Sequence, residues 1–260
     1  MALFRKKRGT DETMHYGAKL ITVAKPQSQT TEQFRTVRTN INFKAIDHDI
    51  NTLAFTSAAI SEGKSTVAAN VAITYAQSGK KTLLIDGDLR RPTVHSTFSL
   101  TNRRGLTSIL TSDSNEFSLD EFTQDSGIEN LSILTAGPIP PNPAELVGSK
   151  RMKTFIDLVR NYYEMVIIDL TPILEVSDTQ ELARELDGVV LVVRQGKTQK
   201  QAVKRAVEML TIAHAHVLGY VMNDVKSEDA GYGYGYGYGY GYGYGEQEKE
   251  KKSIFSWMNK

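Results

Sequence analysis

LAFTSAAISEGKST, residues 53–66, runs from a short apolar segment into a glycine-lysine-serine turn, and its reading decides the fold. Leu53 to Thr56 has strand length and strand composition. Past the turn, Val67, Val71 and Tyr75 recur four apart with Ala68, Ala72 and Ala76 beside them, which gives one apolar helical face that Gly79 ends. A strand, a turn and a helix form the setting in which Ala58-x4-Gly63-Lys64-Ser65 holds phosphate. Backbone N–H groups of Ala59, Ile60, Ser61, Glu62, Gly63, Lys64, Ser65 and Thr66 are then expected to cradle phosphates at the helix N-terminus. Lys64 reaches the β and γ oxygens, and the Ser65 hydroxyl binds magnesium. Lys64 therefore reads as a phosphate ligand and not as a core residue. Ala58 stands where the motif usually has its first glycine, and Ile60-Ser61 leaves the loop short of residues that favour left-handed torsions.

Further apolar runs follow at Thr82 to Ile85, Leu131 to Leu134, Met165 to Ile168, Val189 to Val193 and Val217 to Met222. Such runs suit strands buried on both faces of a parallel sheet. Another helix starts in PPNPAELV, with Asn142 as N-cap, Pro143 at the first helical position and Glu145 as the reciprocal capping residue. The alternation predicts a doubly wound, mostly parallel α/β sheet of the P-loop NTPase type, with ligands beyond the carboxyl ends of its strands. LLIDGDLRRP sets Asp86 and Asp88 at the end of a strand expected next to the loop's own strand, and Asp169 ends MVIID. One such aspartate can merely cap a turn. Three beside a phosphate loop, with Ser65, make a candidate magnesium site, because that hard cation takes a few carboxylates, waters and substrate phosphates.

The 260 residues, 40% hydrophobic and 23% charged, suffice for one α/β domain of about 220 residues plus appendages. We expect a basic linker over residues 1–27, the P-loop domain over 28–226 and a flexible tail over 227–260. A formal net charge of +1 offers no global basic field for nucleic acid. Without cysteine, disulfides and thiol chemistry are excluded. MALFRKKRGT is basic with no apolar stretch behind it, unlike a secretion signal, and no run is long enough to span a bilayer, so a cytosolic location is expected. In the tail, Tyr232, Tyr234, Tyr236, Tyr238, Tyr240, Tyr242 and Tyr244 alternate with glycine. Glycine raises the cost of ordering and packs nothing, so these tyrosines read as accessible phosphoryl acceptors, or else as a sticky low-complexity linker. A phenol with a pKa near 10 profits from a base. Asp86 is the candidate for it, while Asp88 and Asp169 can equally hold metal-bound waters.

Other groups have two readings each. Arg90 and Arg91 pair with phosphate or a partner, or form a solvated turn before Pro92. Asn223 ends the last strand and either makes a turn or meets a ligand. Phe34, Val37 and Ile41 give the 30s helix an apolar stripe, and Glu32, Arg35 and Arg38 cluster on its other side. Tyr162 and Tyr163 are expected to pack, and His214 with His216 lack the third ligand a zinc site needs.

Taken together, the Walker A loop at 57–66, the IDGDLRRP motif at 85–92 and the strand ending in Asp169 resemble the bacterial protein-tyrosine kinases (BY-kinases) of capsule and exopolysaccharide operons. GPIPPNPAEL, Gly137 to Leu146, and the tyrosine-rich tail are similar to that family too, and the resemblance extends from about residue 20 to 245. It implies a tyrosine autokinase using ATP and Mg2+, of the cytosolic Gram-positive type, regulating polysaccharide synthesis and export. It also implies a membrane-anchored activator of the polysaccharide co-polymerase type, placing the kinase peripherally at the inner face of the membrane, and a cognate phosphotyrosine phosphatase. Glu32, Arg35 and Arg38 match an ExxRxxR spacing that the family places at subunit contacts of a homo-oligomeric ring, in which tails are modified in trans; Asn223 matches its base-contacting position. The chain departs from the family at Ile60-Ser61, usually Pro-Gly, and at Asp169-Leu170-Thr171-Pro172, usually Asp-Thr-Pro-Pro. Two rivals remain: a partitioning-type P-loop ATPase switch, whose early signature lysine is missing at Ser57, Ala58 and Ala59, and a weakly catalytic nucleotide-binding scaffold.

Overall fold

The side chains of the central strands point alternately into two separate cores. β1 (Thr52–Ser57) sends Leu53 and Phe55 to one face and Ala54 to the other. β2 (Thr82–Asp86) sends Leu83 and Ile85 one way and Leu84 the other, and β5 (Met165–Asp169) divides Val166 and Ile168 from Met165 and Ile167. Apolar runs unbroken by polar residues are the consequence, since both faces of these strands are covered. The computed structural model describes residues 17–44, 49–112 and 118–225. These lie in the first of two units into which the chain divides, 1–225 and 226–260.

With β3 (Gln124–Asp125), β4 (Leu131–Leu134), β6 (Gly188–Arg194) and β7 (Val217–Asn223), the sheet runs β3-β4-β2-β5-β1-β6-β7. Every neighbouring pair is parallel except β3 with β4. All six expected strands are present, and β3, two residues long, carries no periodicity that a sequence could reveal. The expected adjacency of β2 to the loop's strand does not hold: β5 lies between them. A crossover helix about 10 Å wide covers roughly two strand spacings of about 4.8 Å, which leaves a slot between β1 and β2 for a later strand.

The helices, in chain order, are α1 (Ile21–Ala24), α2 (Gln29–Lys44), α3 (Lys64–Gln77), α4 (Val94–Thr97), α5 (Leu106–Thr111), α6 (Pro143–Val147), α7 (Lys150–Val159), α8 (Asp178–Ala183) and α9 (Lys200–Ile212). Helix α3 is buried throughout from Val67 to Ala76, and Gly79 follows its end at φ 89°. It shares one core with Ile41 of α2, while α7, α8 and α9 fill the other. Helix α6 starts at Pro143 as expected, but the Asn142 side chain makes no cap hydrogen bond; its Nδ2 instead donates to Glu145 Oε2 at 3.2 Å. Of the tyrosines after α7, Tyr163 is buried as expected, whereas Tyr162 is 54% exposed, because consecutive residues in the turn point to opposite sides. Among the described residues no helix is long and apolar enough to cross a membrane.

A buried amide ties the segment before α2 to the loop helix. Asn70 on α3 is fully buried; its Oδ1 accepts from the Thr22 backbone N–H at 3.1 Å and the Thr22 hydroxyl at 2.9 Å. Its Nδ2 donates to the carbonyls of Lys19 and Thr66, each at 2.8 Å. Asn70→Ala strands four partners in a dry site, and we expect a loss of about 2–4 kcal/mol, read by urea unfolding. A loss under about 0.5 kcal/mol would show that the tie is incidental.

Candidate active site

The phosphate loop keeps its torsions with few glycines. Gly63 precedes α3 at φ 93°, and a Cβ there would overlap the Asn223 side-chain amide. The second left-handed position is filled by Ser61, φ 59°. Side chains hold the loop in this shape from below and from the side. Glu62, 2% exposed, turns its carboxylate under the loop and accepts from Ala58 N at 3.0 Å and Ala59 N at 3.2 Å. Its other oxygen accepts from the Thr198 hydroxyl at 2.7 Å, and its carbonyl accepts from Asn223 Nδ2 at 3.0 Å. Arg194 and Lys197 donate to the Ser61 carbonyl at 3.1 and 3.2 Å.

Lys64 opens α3 and reaches across the ends of two strands. Its ammonium lies 2.9 Å from Asp88 Oδ2 and 3.3 Å from Asp169 Oδ1. Asp86 pairs in register with Asp169 on adjoining strands and is fully buried. The segment after β2 folds around Asp86: Oδ2 accepts from Thr93 N and Val94 N, each at 2.9 Å, and Oδ1 from Asp88 N at 3.3 Å. Burial, then the charge of Asp169, pushes the Asp86 carboxyl up to about 8 despite the Val94 amide. Burial likewise raises Asp169, with Lys64 pulling the other way. Burial disfavours the Lys64 ammonium, but Asp169, then Asp88 and Asp86, outweigh it and hold its pKa above the ordinary lysine value. Lys64 is thus an internal counter-ion, a role the sequence reading did not foresee.

These groups open on a cleft of about 590 Å³, in the size range of nucleotide-sized pockets. Its floor is Ile60, Ser61 and Gly63 to Thr66; one wall carries Asp88, Arg90 and Arg91, another Arg194, Asn223 and Asp224, and a third Gly17 to Lys19. Of the expected phosphate ligands, Ala59 and Glu62 do not line it, because the Ala59 N–H is spent on the Glu62 carboxylate. Asn223 lines it, and Asp86 and Asp169 lie deeper, fully buried. Asp169 Oδ2 is buried with no hydrogen-bond partner, an acceptor suited to a cation or its water. No set of three or more His, Cys, Asp or Glu side chains among the described residues forms a complete metal cage. Glu32, Arg35 and Arg38 lie on α2, away from the cleft lining; Arg35 pairs with Glu32, and Arg38 donates to the Thr74 carbonyl near the end of α3. The seven tail tyrosines and Arg5 to Arg8 lie outside the described residues. The sequence reading assigned Glu62 a backbone role toward phosphate and not the bracing role of its carboxylate, and it missed Arg194, Lys197 and the 17–19 wall; RQGKT after β6, a turn with two cations, was the available signal for Arg194 and Lys197.

A phosphate loop with three strand-end carboxylates around its lysine defines a P-loop nucleotide-binding enzyme. The family model described as an AAA domain matches residues 50–218. Tyrosine-protein kinase YwqD of Bacillus subtilis is 47% identical over 226 residues, 87% of this chain and 92% of the relative. The solved chimerical protein CapA2B2 shares 41% identity with TM-score 0.75, covering 79% of this chain and 89% of its own. The kinase domain of Escherichia coli tyrosine kinase ETK shares 30% with TM-score 0.74, covering 85% of each chain. The chain belongs to the bacterial tyrosine-protein kinases, an ATP-binding branch of the P-loop fold. That membership decides against the partitioning-type switch.

Two outcomes follow from this geometry. Lys64→Met abolishes phosphoryl transfer and, without nucleotide in EDTA, also lowers stability by about 3 kcal/mol at pH 7, since Asp88 and Asp169 lose their buried cation. With the cation gone, nothing offsets the burial that already raises Asp169 above the ordinary aspartate value near 3.9, and its carboxyl rises further. The deficit is then absent below about pH 4 and grows as pH rises toward neutrality; a pH-independent deficit in thermal unfolding would refute this account. Ser61→Gly removes left-handed strain of about 1 kcal/mol and raises Tm by about 2–4 °C, whereas Ser61→Val lowers it.

Proposed function

We propose that this kinase moves the γ-phosphoryl group of ATP to Tyr232, Tyr234, Tyr236, Tyr238, Tyr240, Tyr242 and Tyr244 of a neighbouring copy, and so regulates capsular or exopolysaccharide synthesis and export. In this reading residues 28–226 form the catalytic domain and 227–260 the acceptor tail. The observation that carries it is the Lys64 ammonium shared by Asp88 and Asp169 at the floor of a nucleotide-sized cleft. Nucleotide phosphates compete for that ammonium, and the N–H groups at the start of α3 face them. As the phenol oxygen bonds to the γ-phosphorus, the bond to the β–γ bridging oxygen breaks and ADP leaves with the electron pair. The phenol proton passes to Asp86 in its ionised form, the minor one in the empty site because burial pushes this carboxyl up to about 8. Because amides engage both Asp86 oxygens, the 86–94 segment must yield one of them as substrate docks. Ser65, Asp88 and Asp169, with Asp86 behind, would hold magnesium, which when bound would supply charge neutralisation for phosphoryl transfer.

A closed ring built through Glu32, Arg35 and Arg38 brings one tail to the next cleft. Glu32 is 63% exposed and Arg35 34%, which leaves both open to a second copy. Phosphorylation of seven tyrosines adds roughly 10–14 negative charges to a subunit of net charge +1, and mutual repulsion opens the ring until the cognate phosphatase resets it. Anchoring to the inner membrane face falls to a membrane-bound activator, whose cytosolic segment completes the site.

The test mixes two full-length variants. A Lys64→Met chain offers an intact tail and no chemistry; a chain with all seven tail tyrosines changed to Phe offers chemistry and no acceptor. With ATP and Mg2+, phosphotyrosine is expected on the Lys64→Met tail only when both are present. Asp86→Asn in the second chain is expected to slow single-turnover transfer at least about 100-fold. Phosphate confined to sites outside the tail would overturn the acceptor assignment, and undiminished transfer by Asp86→Asn would remove Asp86 as base.

A further inference from the structure

Between the buried Leu89 and the buried Pro92, two arginines project at the cleft, and nothing in the nucleotide chemistry above employs them. Arg90 is held: its Nη2 lies 3.1 Å from Asp178 Oδ2, a carboxylate 3% exposed, which fixes the guanidinium in place. Arg91 is exposed, and among the described residues its side chain has no ion-pair or hydrogen-bond partner. Its backbone is nonetheless close to the chemistry. Arg91 N donates to Asp88 Oδ1 at 3.0 Å, and the other oxygen of the same carboxylate meets Lys64 at 2.9 Å. One carboxylate therefore separates the start of the Arg91 side chain from the ammonium at the transfer site.

We infer that Arg90 and Arg91 form a subsite for a phosphate monoester, the phosphotyrosine just made on the acceptor tail, and that it holds the tail while the next tyrosine is modified. The inference rests on the reading of the tail as acceptor. Guanidinium groups match a phosphate dianion through paired, charge-assisted hydrogen bonds, and a fixed guanidinium beside a free one gives both position and adaptability. The nucleotide's own phosphates are served from the opposite side, by the loop amides and Lys64. Two of the cleft's other carboxylates do not cancel this charge, since Asp88 is engaged by Lys64 and Asp224 by Arg194. The acceptor pattern fits this separation. Alternate residues of an extended strand point to the same side, so a Gly-Tyr repeat bound in extended form would present its phenols in one row about 6.7 Å apart. With one phenol at the γ-phosphate, the phosphate of its neighbour lies one repeat away, within the reach of an arginine rooted beside Asp88. Each transfer then favours the next on the same chain, and a tail fills before another starts.

The experiment uses full-length chains, dephosphorylated beforehand, incubated with ATP and Mg2+ and stopped when phosphate averages about one per chain. Intact-mass spectrometry then counts phosphates on each chain. The wild type is expected to show unmodified chains beside chains bearing several phosphates. In Arg91→Ala the ratio of multiply to singly modified chains is expected to fall roughly tenfold, the weight of one hydrogen bond to a charged group. Arg91→Lys is expected to recover part of it, keeping charge without the fork. Arg91 is exposed, so these variants fold, whereas Arg90→Ala leaves Asp178 buried without its partner and serves only as a comparison. A random distribution of phosphates in the wild type, or the same clustering in Arg91→Ala, would overturn the subsite. If the wild-type tail carries no phosphate at all while phosphotyrosine forms elsewhere, the acceptor reading itself falls and the subsite with it.

Discussion

The Lys64 ammonium in contact with Asp88 and Asp169 is the interaction on which the rest of the site depends. Three aspartates gathered in a dry place repel one another, and burial penalises each of their charges. One lysine offsets two of them directly, and Asp86, next to Asp169 in register, relieves the remainder by holding its proton more tightly. Stability and catalysis make opposite demands here. The arrangement that neutralises the carboxylates also keeps the lysine away from phosphate, so substrate must replace a good internal partner with a better external one.

The sheet order makes this convergence possible. Because β5 lies between β1 and β2, its terminal Asp169 stands between the loop that bears Lys64 and the segment that bears Asp86 and Asp88. Were β2 directly beside β1, Asp169 would end one strand further out, about 4.8 Å away, and a single lysine could not touch both strand ends. The crossover helix that leaves this slot is also the helix whose N-terminus opens on the cleft. Topology and electrostatics are therefore set by the same element, α3.

Much of this was legible in the chain. The six main strands announced themselves as runs of residues buried on both faces, and the loop as a turn between a strand and an alanine-rich helix. The carboxylates were legible because each ends an apolar run. What stayed hidden depends on contacts far apart in sequence. Glu62 reads as one more polar loop residue, and only the fold shows its carboxylate beneath Ala58 and Ala59, braced by Thr198. At Asn142 a local rule predicted the helix start correctly, but not that the side chain would turn its amide to Glu145 instead of capping the helix. Strand order was misread because a hydrophobic pattern specifies that a strand is buried and says nothing about which neighbours bury it.

The loop's departures from its family pattern bear on how it is regulated. A glycine-rich loop keeps its shape by torsional freedom alone; this one places Ser61 in a left-handed conformation that costs about 1 kcal/mol and persists only if the surroundings enforce it. The enforcing groups are visible: Arg194 and Lys197 on the Ser61 carbonyl, Thr198 on Glu62, and Asn223 on the Glu62 carbonyl. All four belong to the ends of β6 and β7 or to the turn before α9, on one side of the cleft. Arg194 is in turn oriented by Asp224, immediately before the chain continues into the tail. The phosphate loop is thus held by a rim of side chains and not by its own sequence. Whatever shifts that rim reaches the nucleotide site directly, without deforming the sheet beneath it.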